Sequence, residues 1–365
     1  MGFMPQLRLD WLLDCAVPLW SGMGWDAETG TVWEALDHDG RPCRRMPRRL
    51  RVQARQAYAF AKLAAHPEIS PTHAGDLKAR AERLFGFIMA RGFDPDNDNL
   101  VSVLSPDLAI LEAPHDLYDL SFVFLAAAGV LSLGCDVGEE VARLEKALDR
   151  LEAPRGWFEC ANRRLPRRQN PHMHLFEAMC AMYRVTGAPR FGRLASRCRA
   201  VLLNDFMQAD GRLPEYFDDT LDPLQRSAQQ EEPGHLAEWV SLEAGWQALD
   251  LPDAEAGGHF PPGNALFLAV IAQASPQGFL PDMAGGDTYR LWPQTELIRA
   301  GRVMMAQGAT IPANYRPDAV LSRVWWAYFD TEVPGGWYDQ RNARGELIST
   351  TMPASSLYHI VEALL

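Results

Sequence analysis

A short turn in which glycine precedes an aromatic residue or, a few positions on, an acidic one recurs six times. It occurs at Gly24-Trp25-Asp26, Gly92-Phe93-Asp94, Gly156-Trp157-Phe158-Glu159, Gly211-Arg212-Leu213-Pro214-Glu215, Gly278-Phe279-Leu280-Pro281-Asp282 and Gly336-Trp337-Tyr338-Asp339. Intervals of 55 to 68 residues hold two helices and their loops. Between the turns apolar residues recur at helical spacing, from Arg51 to Ala65, Asp119 to Leu133, Leu175 to Val185, Glu238 to Leu249 and Ala265 to Ala274. Strand-like runs are confined to a few residues beside the glycines. The first and last segments are apolar enough to be packed, unlike the polar outer face of a capping repeat, so six helix pairs are expected to close on themselves. The expected fold is all-α: an (α/α)6 barrel of six helical hairpins, an inner ring within an outer one, with 1–365 as a single domain.

Composition narrows the function classes. With 365 residues, 47% of them hydrophobic and 22% charged, the chain can bury a large core. A formal net charge of -12 argues against nucleic acid or an anionic membrane surface as partner, since both call for a basic footprint. No stretch of 18 apolar residues occurs, and Met1 to Trp20 lacks a charged segment followed by an apolar run and a cleavage site. The six cysteines are scattered without a Cys-x-x-Cys pair, which favours reduced thiols and a cytoplasmic location over a disulfide framework or a thiolate zinc site. Self-association into a homo-oligomer stays open.

Titratable groups gather at helix entrances. Asn170-Pro171-His172-Met173-His174-Leu175-Phe176-Glu177 starts with an N-cap residue and a proline suited to the first helical position. His172 and His174 then lie nearly opposite each other, while His174 and Glu177 share a face. His235 and Glu238, after Pro233-Gly234, and His359 and Glu362, after Ser355-Ser356, repeat the spacing. Three His-x-x-Glu instances from nine histidines exceed chance, and all follow capping or Pro/Gly signals. If inner helices begin at one mouth of the barrel, His174, His235 and His359 converge on one funnel, each with a carboxylate beside it.

Other residues suit a sugar-sized pocket. Most of the eleven tryptophans pack between helices, but Trp292, in Leu291-Trp292-Pro293-Gln294-Thr295-Glu296, sits at another polar entrance and offers a wall for a sugar ring. Tyr118 occupies an equivalent entry. Seven arginines fall between Arg41 and Arg55. Most read as a solvated face or as partners of acids, whereas Arg55 follows the helix inward and can hold a ligand oxygen.

Imidazoles with ordinary pKa values near 6.5 can divide into an acid and a base near neutral pH, which suits proton abstraction beside a carbonyl. Zinc held by three histidines and glutamates is the competing reading. Against it, metal-binding pairs usually share one helix or hairpin, and these histidines are 61 and 124 residues apart. Structural histidines capping neighbouring helices would account for any one of the three more readily than for all of them.

The segments Arg168 to Ala178, Glu232 to Trp239 and Ser355 to Ile360 resemble the signature segments of the N-acylglucosamine 2-epimerase superfamily, which includes mannose isomerases, aldose-ketose isomerases and cellobiose 2-epimerases. The resemblance runs from about Val52 to the C-terminus. It implies an (α/α)6 barrel and chemistry on an open-chain monosaccharide without metal or cofactor. A histidine removes the C2 proton to give a cis-enediol(ate). Return of the proton to C1 makes a ketose, and return to the other face of C2 makes an epimer. Carried over by motif position, His235 and His359 resemble the acid/base pair, His174 and Glu238 support it, and Arg55, Tyr118, Asn170 and Trp292 line the sugar site. The ending Ser355-Ser356-Leu357-Tyr358-His359-Ile360 looks more like the mannose isomerase branch, which implies D-mannose to D-fructose or a close analogue. A 2-epimerase is the alternative, and the Arg41 to Arg55 cluster keeps open a 6-phosphate or 6-sulfonate sugar. The same barrel houses glycoside hydrolases, for which Glu238 with Asp218 or Glu296 would supply two carboxylates but leave the histidines without a role. A non-catalytic sugar-binding barrel would not call for paired titratable groups.

Overall fold

Residues that are apolar all round make one set of helices, and residues apolar on a single stripe make the other. The computed structural model describes residues 9–225, 230–251, 260–261 and 263–365. The helices are α1 (Val17–Ser21), α2 (Leu50–Ala64), α3 (Pro71–Arg91), α4 (Leu117–Ser132), α5 (Gly138–Asp149), α6 (Gln169–Thr186), α7 (Pro189–Val201), α8 (Pro233–Gln247), α9 (Gly263–Ile271), α10 (Leu291–Ala306), α11 (Pro317–Val324) and α12 (Ser356–Leu364). In α4 nearly every residue from Leu117 to Val130 is buried, and α6 is buried from Pro171 to Met182. In α5 only Val141, Leu144, Ala147 and Leu148 are, at the spacing of one helix face.

The even-numbered helices form the inner ring. Each packs on the next, α2 on α4, α4 on α6, α6 on α8, α8 on α10 and α10 on α12, and α12 returns to α2. Odd-numbered helices α3 to α11 pack outside them. The closure joins the two ends of the sequence. Trp20 stacks on Trp337 with ring centroids 4.8 Å apart, the strand 351–353 pairs antiparallel with 35–37, and Gln56 in α2 donates to the Ala354 carbonyl at 2.8 Å. The chain folds as the (α/α)6 barrel that its period implies.

Short strands fix where the inner helices start. The pair 48–49 leading into α2 bonds to 103–104, 167–168 leading into α6 bonds to 216–217, and 288–290 leading into α10 bonds to 340–342. Each connection joins a helix entrance to the following hairpin, so the entrances gather at one mouth. The turn glycines that need a left-handed backbone are Gly30, Gly156, Gly211, Gly278 and Gly335, with φ between +60° and +85°. In the first and last hairpins the left-handed glycine is therefore Gly30 and Gly335, not Gly24 or Gly336 of the repeated turns, and Gly92 of the second turn has an ordinary negative φ.

Candidate active site

The mouth opens into a cavity of about 420 Å³. All eight residues singled out from the sequence line it: Arg55, Tyr118, Asn170, His174, His235, Glu238, Trp292 and His359. They come from all six inner helices, so no local segment could form it.

Trp292 sits between the two histidines at ring-centroid distances of 5.0 Å from His235 and 5.5 Å from His359. It reaches that place because residue 234 is glycine: a Cβ there would stand 2.5 Å from the tip of the indole. Arg55 donates to the Tyr118 hydroxyl at 2.8 Å and lies over the Phe122 ring. Its Nε has no partner. Asn170 also keeps a buried, unpartnered Oδ1. It is not the N-cap expected from sequence: α6 starts two residues earlier than that cap implies, at Gln169, and the cap position is Arg168, which frees the Asn170 amide for the cavity.

The carboxylate partners differ from those that helical spacing predicts. Only His174 pairs with the glutamate three residues on, Nδ1 to Glu177 Oε2 at 3.0 Å. His235 Nδ1 bonds instead to Glu215 Oε1 at 2.8 Å, from the turn before α8, and His359 Nδ1 to Glu296 Oε1 at 2.8 Å, from α10. Glu238, one turn deeper than His235, lies 3.9 Å from His174. Glu362 pairs with Lys62 and, at 3.3 Å, with Arg299. A side chain on a helix leans toward the N-terminus, so a histidine in the first turn reaches the mouth while the glutamate behind it faces the barrel interior. In the sequence Glu296 stands out as the end of a polar helix entrance and as a candidate hydrolase carboxylate, and Glu215 only as the end of a turn motif. That motif was the signal that could have found Glu215. His172, opposite His174 as expected, is structural: its Nε2 accepts from the Trp157 backbone N–H at 3.1 Å.

Surroundings push the imidazoles in opposite directions. Burial alone would lower His235, but the charges of Glu215, Glu232 and Glu238 and the bond to Glu215 outweigh it and lift the ring to about 10. Burial drives His359 well below its ordinary value, and the nearby cations Arg55, Arg299 and His235 add to the shift against the opposing Glu177. Burial likewise takes His174 down to about 4, with Arg55 and His359 adding to it. Burial, with Glu177 and Glu362 nearby, raises Glu296 to about 7 although Arg299 opposes it. Burial and the charges of Glu296 and Glu177 push Glu238 well above the carboxylate range, which suits a carboxyl with neither oxygen bonded. One cavity thus brings together an imidazole pushed toward its charged form, two pushed toward the neutral form and a carboxyl pushed toward its neutral form, the kind of separation an acid/base pair requires.

Three sets of side chains could also gather around a metal ion: His174 with Glu177 and Glu238, Glu215 with Glu232 and His235, and Glu238 with Glu296 and His359. No described helix is long and apolar enough to cross a membrane.

The family model described as N-acylglucosamine 2-epimerase matches residues 31–363. A mannose-6-phosphate isomerase of Rhizobium meliloti is 31% identical over 382 residues, covering 97% of this chain and 94% of its own. A D-mannose isomerase of Thermobifida fusca is 26% identical over 288 residues, covering 68% of this chain and 67% of its own. Among solved structures, the cellobiose 2-epimerase of Spirochaeta thermophila superposes with a TM-score of 0.80 at 18% identity, over 99% of this chain and 96% of its own, and shares the barrel.

Proposed function

Since the chain belongs to the N-acylglucosamine 2-epimerase family, and is thereby a sugar isomerase or epimerase, we propose that it interconverts D-mannose, or a close analogue, with the corresponding ketose. The whole barrel serves as one catalytic unit in this reading. The observation that carries it is the pair of imidazoles at one cavity, each with Nδ1 on a different glutamate and with opposite protonation preferences.

With Glu296 ionised, the His359 Nδ1–H donates to it and the Nε2 lone pair is left free, a tautomer inferred from the bonding. Nε2 takes the proton from C2 of the open-chain aldose. The C–H electron pair becomes the C1–C2 double bond, and the carbonyl pair moves to O1, which takes a proton from His235. A cis-enediol results, with His359 charged and His235 neutral. His359 then returns its proton to C1 as the O2 hydroxyl gives its own to His235. The ketose forms and both rings regain their starting states. Arg55, Tyr118 and Asn170 hold hydroxyls, and Trp292 faces the carbon skeleton.

A 6-phosphate substrate is the second reading. It is favoured by Arg49, Arg51 and Arg290 among the cavity-lining residues and by the mannose-6-phosphate isomerase relative. Incubation with D-mannose and with D-mannose 6-phosphate, followed by product chromatography, tests both. Fructose or its 6-phosphate is expected, with deuterium at C1 in deuterated water. Formation of the C2 epimer with no ketose would replace the isomerase with a 2-epimerase.

A further inference from the structure

Four acids that follow the glycine turns each bond to the entrance of the next inner helix, three through the backbone N–H of an arginine and one through a serine hydroxyl. Glu34 accepts from the Arg49 backbone N–H at 2.9 Å and from its guanidinium, and Glu159 does the same for Arg168 at 3.1 Å. Asp282 accepts from the Arg290 N–H at 2.6 Å, and Asp339 from the Ser356 hydroxyl at 3.2 Å. Each side chain thus holds the entrance of the inner helix that follows it. Main-chain carbonyls hold the preceding one: Glu34 accepts from Ala354, Glu159 from Leu117 and Asp339 from Leu291, at 2.8–3.1 Å. In the second hairpin Ser102 provides the carbonyl, to Leu50 at 2.9 Å, while its hydroxyl has no partner. There α4 brings its own carboxylate, Asp116, which caps Tyr118 at 2.9 Å.

Glu215 keeps half of this pattern. Its carbonyl accepts from Gln169 at the start of α6 at 3.2 Å, but the entrance it faces is Glu232, which offers no cation. Its carboxylate turns to His235 Nδ1. Gln169 Nε2 supports both oxygens at 3.0 Å, and Trp239 Nε1 fixes Gln169 in turn at 3.1 Å.

We infer that Glu215 is the barrel's repeated structural clasp redirected into a positioning residue, one that fixes the ring and tautomer of His235 so that Nε2–H serves the cavity. A carboxylate behind a histidine sets which nitrogen carries the proton, and loss of such support is costly without loss of the histidine itself. The inference rests on the acid role proposed for His235. Besides Glu215, the groups facing that ring are Glu232 at the cap of its own helix, Glu238 within that helix and, across the cavity, His359.

The test compares Glu215→Gln, Glu215→Asp and Glu159→Gln in the full chain. Glu215→Gln is expected to lower kcat roughly 10²-fold with KM little changed, to move the alkaline limb of the rate profile to lower pH, and to lower the His235 titration seen by histidine ring NMR. Glu215→Asp should restore part of each. Glu159→Gln, altering an equivalent clasp away from the cavity, should lower Tm while kcat and the limb stay at wild type. If the His235 titration stays put in Glu215→Gln, or its losses match those of Glu159→Gln, the positioning role is overturned. The NMR titration needs no substrate, so it is separable from the isomerase reading, which stands or falls on the wild-type reaction.

Discussion

The entrances of α8 and α12 present the same side chain to the same cavity and treat it oppositely. At α8, His235 is ringed by Glu215, Glu232 and Glu238. At α12, His359 is as deeply buried and bonds to the Glu296 carboxylate, while Arg55 and Arg299 bear on it. Both rings bond through Nδ1 at 2.8 Å. A hydrogen bond to glutamate therefore does not decide the charge of an imidazole here. The balance of desolvation against all surrounding charge does.

Removing either ring is the strongest way to break the comparison. His235→Ala and His359→Ala should each cost about 10³-fold or more in kcat, with circular dichroism unchanged; a variant at wild-type rate would end the acid/base assignment. Next is Glu296→Gln, which cannot accept the Nδ1–H as an anion and should cost about 10²-fold, measured as kcat under saturating sugar. The pH profile sharpens the contrast with a smaller effect. Activity should rise as Glu296 loses its proton near 7 and fall as His235 loses its own near 10. The His235 shift also predicts a stability trend. A histidine raised above its unfolded value of about 6.5 stabilises the fold fully below that pH, and the contribution is lost as pH climbs through about 10. Thermal unfolding across that window should show the decline, and a flat response would contradict the assignment. Gly234→Ala should displace Trp292 from between the two rings and destabilise by about 1–3 kcal/mol, measured by denaturant unfolding. Last, a chelator is expected to leave activity unchanged. Loss restored by zinc would instead point to a metal among His174, Glu177 and Glu238.

The fold was legible because glycine turns and helical apolar runs repeat at a regular interval, and because α4 and α6 carry inner-ring sequences that no amphipathic helix would. Convergence of His174, His235 and His359 was legible too, since each follows an entrance signal and entrances share a mouth. The glutamate partners were not. Spacing placed Glu238 and Glu362 beside their histidines, yet a shared helix face says nothing of which neighbour from another hairpin arrives first. Arg49 and Arg51 show the same limit: the arginine cluster was visible, but its commitments to Glu34 and Asp119 depend on residues 15 and 68 positions away.

By itself the sequence determined the period, the helix faces and the residues delivered to the mouth, because backbone periodicity and turn chemistry are properties of neighbouring residues. Only the tertiary structure decided which carboxylate holds which imidazole, and so which ring is charged. Those choices arise where hairpins meet and water is excluded, in an electrostatic field that has no counterpart along the chain.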